Sequence, residues 1–287
     1  MEAASSPSSQ PLVGFIGAGN MARALAGGLL ASGYARQRLI LSDPLPEQRE
    51  GAARALGLEV YADNKAVAER AEVLVFAVKP QTLAAAAREV AEIVQRRLPL
   101  VVSVAAGVRT ADLERWLSGG GGEGLAIVRA MPNTAALVGS GAAGLYANAR
   151  VDETQREIAE SLLRAVGVAV WVEREELLDV VTALSGSGPA YFFLLMEILE
   201  EEAIAHGLAP AQARLLVCET AFGAAKMALE GAEEPARLRA RVTSPGGTTE
   251  AAVRVLEEGG LRGLFRRAFA AAVARARELA ELFGKNA

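Results

Sequence analysis

The stretch Val13-Gly14-Phe15-Ile16-Gly17-Ala18-Gly19-Asn20-Met21-Ala22 constrains this chain more than any other. A short apolar run feeds a G-x-G-x-x-A turn, and the residues from Ala22 to Leu30 are helix formers with apolar spacing. In such a strand-turn-helix unit Gly17 makes the tight turn, Gly19 lets a pyrophosphate approach the backbone, and the small Ala22 lets helix pack on strand. Ala18, Asn20 and Met21 complete the candidate cofactor contact at the helix start.

The rest of the first half repeats the alternation. Strands are expected near Leu12 to Ile16, Leu39 to Ser42, Glu59 to Tyr61, Val73 to Ala77, Leu100 to Ser103, Ala126 to Arg129, Gly144 to Ala147 and Ala169 to Val172. Helical segments run between them: Asn20 to Ser32, Glu47 to Leu56, Lys65 to Arg70, Thr82 to Gln95, Thr110 to Leu117 and Asp152 to Val166. Alternation at this spacing predicts an α/β fold, a parallel, doubly wound, Rossmann-like sheet with a dinucleotide at the carboxyl ends of its strands. After Glu173 strand signals vanish, and helices are expected over Glu175 to His206, Pro210 to Glu230, Ala236 to Val242, Thr248 to Glu258 and Leu261 to Phe283. The expected domains are a disordered tail over 1–11, a dinucleotide-binding domain over 12–173 and an all-α dimerisation domain over 174–287. Pro189 cannot donate to the carbonyl of Ser185, so Ser185-Gly186-Ser187-Gly188-Pro189 must bend the first of those helices. Helices apolar on more than one face, as in Tyr191 to Ile198 and Leu215 to Met227, call for a partner subunit.

Composition excludes several classes. With 52% hydrophobic residues, 22% charged, 5% aromatic and a net charge of −4, the chain has no Lys/Arg block to follow a nucleic acid. Charges or glycines interrupt each apolar run, so no membrane span is expected. The single cysteine, Cys218, on the apolar face of its helix, rules out an internal disulfide and makes a reducing cytoplasm the default location. The single histidine, His206, precedes Gly207 at a helix end and reads as a C-terminal cap, which leaves metal catalysis almost no ligands.

Candidate cofactor residues follow the strand ends. Asp43 stands about 20 residues past Ala22, where an acid hydrogen-bonds an adenosine ribose hydroxyl and repels a 2′-phosphate. Ser42 and Asn64 suit either ribose form. Ala77-Val78-Lys79-Pro80 and the loop containing Ala105 and Gly107 follow the next strands, with Lys79 either lining the cofactor or simply solvated. Met131-Pro132-Asn133 ends the sixth strand as a polar turn, which without function is an ordinary turn.

Ser244-Pro245-Gly246-Gly247-Thr248-Thr249 is the second informative string. Pro245 suits a first helical position, the glycines admit close approach, and the N–H groups of the following turn form a seat for a carboxylate flanked by the hydroxyls of Ser244 and Thr249.

Together these motifs give a chain that resembles the pyrroline-5-carboxylate reductase family from Val13 to about Leu279. G-F-I-G-A-G-N-M-A, A-V-K-P, S-V-A-A-G-V, R-A-M-P-N-T, L-S-G-S-G-P-A-Y and S-P-G-G-T-T all stand in family order and spacing. The resemblance implies reduction of L-1-pyrroline-5-carboxylate to L-proline by NADPH or NADH, the last step of proline biosynthesis. It implies a helical domain interlocked with a neighbour's, active sites drawing on two subunits, and dimers often gathered into a decamer. By resemblance Thr249 hydrogen-bonds the imine nitrogen as the catalytic residue. Gly246, Gly247, Thr248 and Ser244 hold the substrate carboxylate, and Ser187 and Gly188 line the nicotinamide. Asp43 departs from the serine or other non-acidic residue common in NADPH-preferring members, so both coenzymes stay open. A 3-hydroxyacid-type dehydrogenase is the rival enzyme, but it uses a lysine early in the long second-domain helix; here the lysines are Lys65, Lys79, Lys226 and Lys285. A non-catalytic dinucleotide-binding module is the other rival, and it needs no carboxylate seat.

Overall fold

The computed structural model describes residues 10–119 and 124–285. The expected tail over 1–11 lies outside them except at its end, where Gln10 Oε1 accepts from the Ala35 N–H at 2.8 Å and the Pro11 carbonyl accepts from the Tyr34 hydroxyl at 2.5 Å. These bonds tie residues 10 and 11 to the fold, against the expectation of disorder. The expected turn over Gly119 to Gly122 also falls almost wholly outside the described residues.

The chain divides into two compact units, one formed by 1–187 with 272–287 and the other by Gly188–Ala271. The division comes later than the expected boundary after Glu173, because the segment that follows is held to the first unit by a buried ionic network described below.

The first unit is one eight-stranded sheet in the order β3-β2-β1-β4-β5-β6-β7-β8. Its strands are β1 (Val13–Ile16), β2 (Leu39–Ser42), β3 (Glu59–Tyr61), β4 (Val73–Phe76), β5 (Leu100–Ser103), β6 (Ile127–Met131), β7 (Gly141–Ala147) and β8 (Gly167–Trp171). Between them run α1 (Asn20–Ala31), α2 (Pro46–Leu56), α3 (Asn64–Ala68), α4 (Pro80–Arg97), α5 (Thr110–Ser118) and α6 (Glu153–Arg164). Every residue of β1, β2, β4 and β5 is buried, as helices on both faces of a parallel sheet require. The core accordingly forms two layers, one around Phe15, Leu25 and Val102 and the other around Ile16, Phe76 and Trp116. The order of strands reverses between β1 and β4, which opens the crevice where α/β sheets bind their ligands.

One strand corrects the all-parallel expectation: β7 runs antiparallel to β6. Only a 3₁₀ turn, Thr134–Val138, links the two, and that is too short for the crossover a parallel neighbour needs. A helix does separate β7 from β8, and these two pair in parallel.

The expected helix from Glu175 to His206 is instead three pieces: α7 (Leu177–Val181), a π-helical turn over Thr182–Gly186, and α8 (Gly188–Ala205). The π turn sits where Pro189 removes the N–H that would continue the α-helical ladder. In the second unit α8 is followed by α9 (Pro210–Glu230), α10 (Pro235–Arg241), α11 (Thr248–Glu258) and the start of α12 (Leu261–Lys285). Gly207, at φ +100°, ends α8: its N–H bonds the Ile204 carbonyl at 2.9 Å and the Leu208 N–H bonds the Ala203 carbonyl at 3.1 Å. This is the helix end expected at His206 and Gly207, and the His206 ring nitrogen Nδ1 lies 2.8 Å from the Glu202 carbonyl.

Candidate active site

The glycine turn is built for close approach. Gly17 has φ +100°, its N–H bonds the Ser42 carbonyl at 2.8 Å, and a Cβ there would lie 2.8 Å from the Ala77 carbonyl oxygen. Any side chain is thus refused. Gly19 caps α1 without a side-chain hydrogen bond, and a Cβ on it would meet nothing within 4 Å. The start of α1 is thus open at Gly19 and carries no side-chain cap, which fits a pyrophosphate.

Asp43 is only 9% exposed, and both of its carboxylate oxygens are engaged. Oδ2 accepts from the Ala18 N–H at 2.9 Å and Oδ1 from the Leu45 N–H at 3.0 Å. The acid thus braces the glycine turn as well as standing at the end of β2. Two guanidinium groups that the sequence did not single out flank it. Arg49 Nη1 donates to the carbonyls of Asp43 at 3.0 Å and Pro44 at 2.9 Å, and Arg23 Nε donates to the Ala18 carbonyl at 2.8 Å. Ser42 is fully buried, and its hydroxyl donates to Asn64 Oδ1 at 2.8 Å. Asn64 Nδ2 in turn donates to Glu89 Oε2 at 2.7 Å, so Ser42 meets a ligand only through Asn64.

At the next strand ends Ala77 and Val78 are half-buried, Lys79 is exposed at the N-cap of α4, and Pro80 is its first residue. Lys79 makes no ion pair among the described residues, which leaves its ammonium free. Ala105 is buried, and Gly107, at φ +76°, lies under the Phe283 ring, 3.1 Å from where a Cβ would sit. Gly107 therefore serves packing. Pro132 is buried, and Asn133 uses its amide on backbone: Nδ2 donates to the Ser185 carbonyl at 3.0 Å and Oδ1 accepts from the Ala142 N–H at 3.1 Å. The Ser187 N–H closes the π turn on the Thr182 carbonyl at 2.8 Å, and Gly188 begins α8.

The sequence reading missed a buried ionic network. Arg129, 2% exposed in the middle of β6, lies 3.2 Å from Glu175 and 4.0 Å from Asp179, while Arg109 pairs with Asp179 at 2.8 Å. Glu175 also accepts from the N–H and hydroxyl of Thr110 at 2.7 and 3.0 Å, capping α5. Burial pushes the Arg129 guanidinium below its ordinary pKa, against the pull of Glu175. The available signal was an arginine inside the apolar run Ile127-Val128-Arg129-Ala130-Met131. A cavity of about 730 Å³ opens beside this network, lined in part by Arg109, Arg115, Asp179 and Arg277, and none of the expected site residues borders it.

In the second unit, α11 begins at Thr248 with Gly247 as N-cap, so Pro245 stands in the turn ahead of the helix and not at its first position. The reason is Gly246, whose φ of +70° turns the chain once more before the helix starts. The Gly246 N–H donates to Glu250 Oε2 at 2.7 Å, so a carboxylate already stands on part of the expected seat, and it is the chain's own. The hydroxyls of Ser244, Thr248 and Thr249 have no partner among the described residues, and none of them caps α11.

The apolar helices α8 and α9 are open to solvent. Phe192 is 63% exposed and Phe222 64%, and Cys218, expected among apolar neighbours, is exposed as well. Against the expectation, the helical stretch Leu177–Ala205 is long and apolar enough, by length and composition, to cross a membrane. Its charges are Asp179 near its start, buried and paired with Arg109, and Glu197, Glu200, Glu201 and Glu202 toward its end.

A glycine-turn sheet domain followed by helices defines an oxidoreductase that works with a nicotinamide dinucleotide. Residues 12–107 match the family model described as NADP oxidoreductase, coenzyme F420-dependent, and residues 175–279 match that described as pyrroline-5-carboxylate reductase dimerisation. The chain is 47% identical to the pyrroline-5-carboxylate reductase of Pseudomonas aeruginosa over 277 residues, covering 96% of this chain and 100% of that one. It is 41% identical to that of Vibrio alginolyticus over 272 residues, covering 94% and 98%. Among solved structures, the pyrroline-5-carboxylate reductase of Coxiella burnetii superposes with a TM-score of 0.88 at 45% identity, covering 94% of this chain and 98% of that one. The Plasmodium falciparum pyrroline carboxylate reductase with NADP bound does so at 0.82 and 26%, with the same coverage of 94% and 98%. The chain belongs to the pyrroline-5-carboxylate reductase family.

Proposed function

We propose that the protein reduces the C=N bond of L-1-pyrroline-5-carboxylate to give L-proline, closing proline biosynthesis, with NADPH or NADH as reductant. The bound dinucleotide supplies the hydride that reaches the imine carbon. The turn from Gly17 to Met21 holds the pyrophosphate, with Asp43 and Asn64 toward the ribose and Ala77 to Pro80, Ala105 and Met131-Pro132 along the strand ends. Ser187 and Gly188 flank the nicotinamide.

The observation that carries this reading is the 244–249 loop. A Gly246 N–H that already holds a carboxylate, ahead of a helix start without a side-chain cap, suits a ring carboxylic acid. Ser244, Gly247 and Thr248 complete that seat. The Thr249 hydroxyl, with no partner among the described residues, hydrogen-bonds the imine nitrogen, which takes its proton from that hydroxyl or from water as hydride reaches the carbon and C=N becomes CH–NH. Neither a histidine nor a carboxylate in the motifs is needed for this step.

The exposed faces of α8 and α9 close against a second copy, consistent with the dimerisation model over 175–279, and dimers gather into larger rings up to a decamer. This cover, and not a bilayer, accounts for the apolar stretch Leu177–Ala205, and the protein works in the cytoplasm. Purified protein mixed with pyrroline-5-carboxylate tests the reading: oxidation of NADPH or NADH with stoichiometric proline supports it, and no oxidation of either coenzyme rejects it.

A further inference from the structure

Asn133 bears on the coenzyme site in a way that contact alone does not describe. Pro189 has no N–H, so the Ser185 carbonyl, four residues earlier, lacks its α-helical donor. In the structure that carbonyl receives the Asn133 side chain, Nδ2 to O at 3.0 Å. The other end of the same amide accepts the Ala142 N–H at 3.1 Å, at the start of β7. A second contact runs beside the first, since a Cβ on Gly186 would lie 2.7 Å from Met131 Cε. The last residue of β6 and a residue of the turn after it thus grip two successive residues of the π turn.

We propose that Asn133 is a positioning residue: its amide replaces the N–H that Pro189 lacks, and so fixes the π turn that presents Ser187 and Gly188. One amide hydrogen and one oxygen lone pair are spent on backbone at opposite ends of the side chain, so its orientation is set by the fold and not by a coenzyme. The consequence for catalysis rests on the reading above that Ser187 and Gly188 flank the nicotinamide.

The test is a double-mutant cycle on the intact protein, read first by melting without coenzyme and then by coenzyme titration and kinetics. Asn133→Ala should lower the melting temperature by about 2–10 °C. In a Pro189→Ala background residue 189 regains an N–H for the Ser185 carbonyl, and the drop caused by Asn133→Ala should shrink by half or more. Asn133→Asp keeps the acceptor for Ala142 and replaces the donor with a carboxylate oxygen that faces the Ser185 carbonyl. It should lower kcat about 10- to 100-fold while the coenzyme Kd stays within about twofold, the pattern of a misplaced reacting group. An equal melting drop in both backgrounds overturns the proposal, as does an Asn133→Asp protein whose main defect is a raised coenzyme Kd. The melting cycle does not depend on the reaction catalysed. If it holds while pyrroline-5-carboxylate is not reduced, the clamp stands and the functional reading falls.

Discussion

The two units of this chain solve the problem of burial in opposite ways. The first covers a parallel sheet with helices on both faces, and even Arg129 is buried there with acids beside it. In the second, Gly188 and Ala213 are the sole buried residues among those described, and α8 and α9 expose phenylalanines and leucines to solvent. A chain does not leave that much apolar surface wet without a use for it. The difference teaches that the first unit carries its own core, while the second leaves apolar helix faces open in the region that matches the dimerisation model.

The sharpest break of that contrast is a charge on the open helices. Leu216, on α9, lines an apolar cavity of about 390 Å³ with Phe192, Leu195 and Met196. Leu216→Glu should dissociate the assembly and abolish activity, while the first unit keeps its fold and its coenzyme binding. Sedimentation at micromolar concentration beside a coenzyme titration decides, and a fully active Leu216→Glu oligomer would refute the dependence on a partner.

A complementary change strikes the self-sufficient unit. Arg129→Ala leaves Glu175 buried without its cation and Asp179 with Arg109 alone, at a cost of about 3–5 kcal/mol. Denaturant unfolding at several protein concentrations should show a loss that does not vary with concentration, because the defect lies within one subunit.

The third effect tests the chemistry assigned to the second unit. Thr249→Val should lower kcat roughly 10- to 1,000-fold with coenzyme affinity near wild type, the span between losing one transition-state hydrogen bond and losing a proton donor. A normal kcat in this variant would remove Thr249 from the mechanism.

Smaller still is the coenzyme effect in the first unit. Asp43→Ser removes a carboxylate from the ribose edge and should shift kcat/KM toward NADPH by up to roughly 30-fold. Since Asp43 also accepts from the Ala18 N–H, affinity for both coenzymes should fall at the same time. A constant NADPH-to-NADH ratio would show that the acid is purely a brace for the glycine turn.

The smallest expected changes are in substrate KM. Ser244→Ala should raise it with kcat nearly unchanged, because the substrate carboxylate carries the same charge in ground and transition states. Glu250→Gln should lower it about 2- to 5-fold, since a neutral amide competes more weakly for the Gly246 N–H. A raised KM in Glu250→Gln would mean that the glutamate shapes the loop instead of occupying its seat.

How much of this was legible in advance depends on the range of the interaction. All eight strands, the glycine turn, the break at Pro189 and the helix end at Gly207 rest on local rules: side-chain periodicity, a missing N–H, a positive φ. Candidate residues for both sites could be singled out on the same grounds, since they sit in short motifs with their own backbone demands. The antiparallel β7 was not, because strand direction depends on how far a connection must reach, which neither strand records. Nor was the placement of Pro245 ahead of α11, set by the extra turn at Gly246.

The amino-acid sequence by itself determined a dinucleotide fold followed by helices rich in apolar residues, and it singled out the glycine turn, the strand ends and the 244–249 loop as candidates for the site. Only the tertiary structure decided how those residues are held: Asp43 bonded to the glycine turn, Ser42 buried behind Asn64, Asn133 spent on the Ser185 carbonyl, and Arg129 drawing Glu175 and Asp179 to the sheet. Each of these contacts joins residues far apart in the chain. Periodicity and turn chemistry act within a few residues, so a polar side chain's partner across tens of residues becomes visible only once the backbone has closed around it.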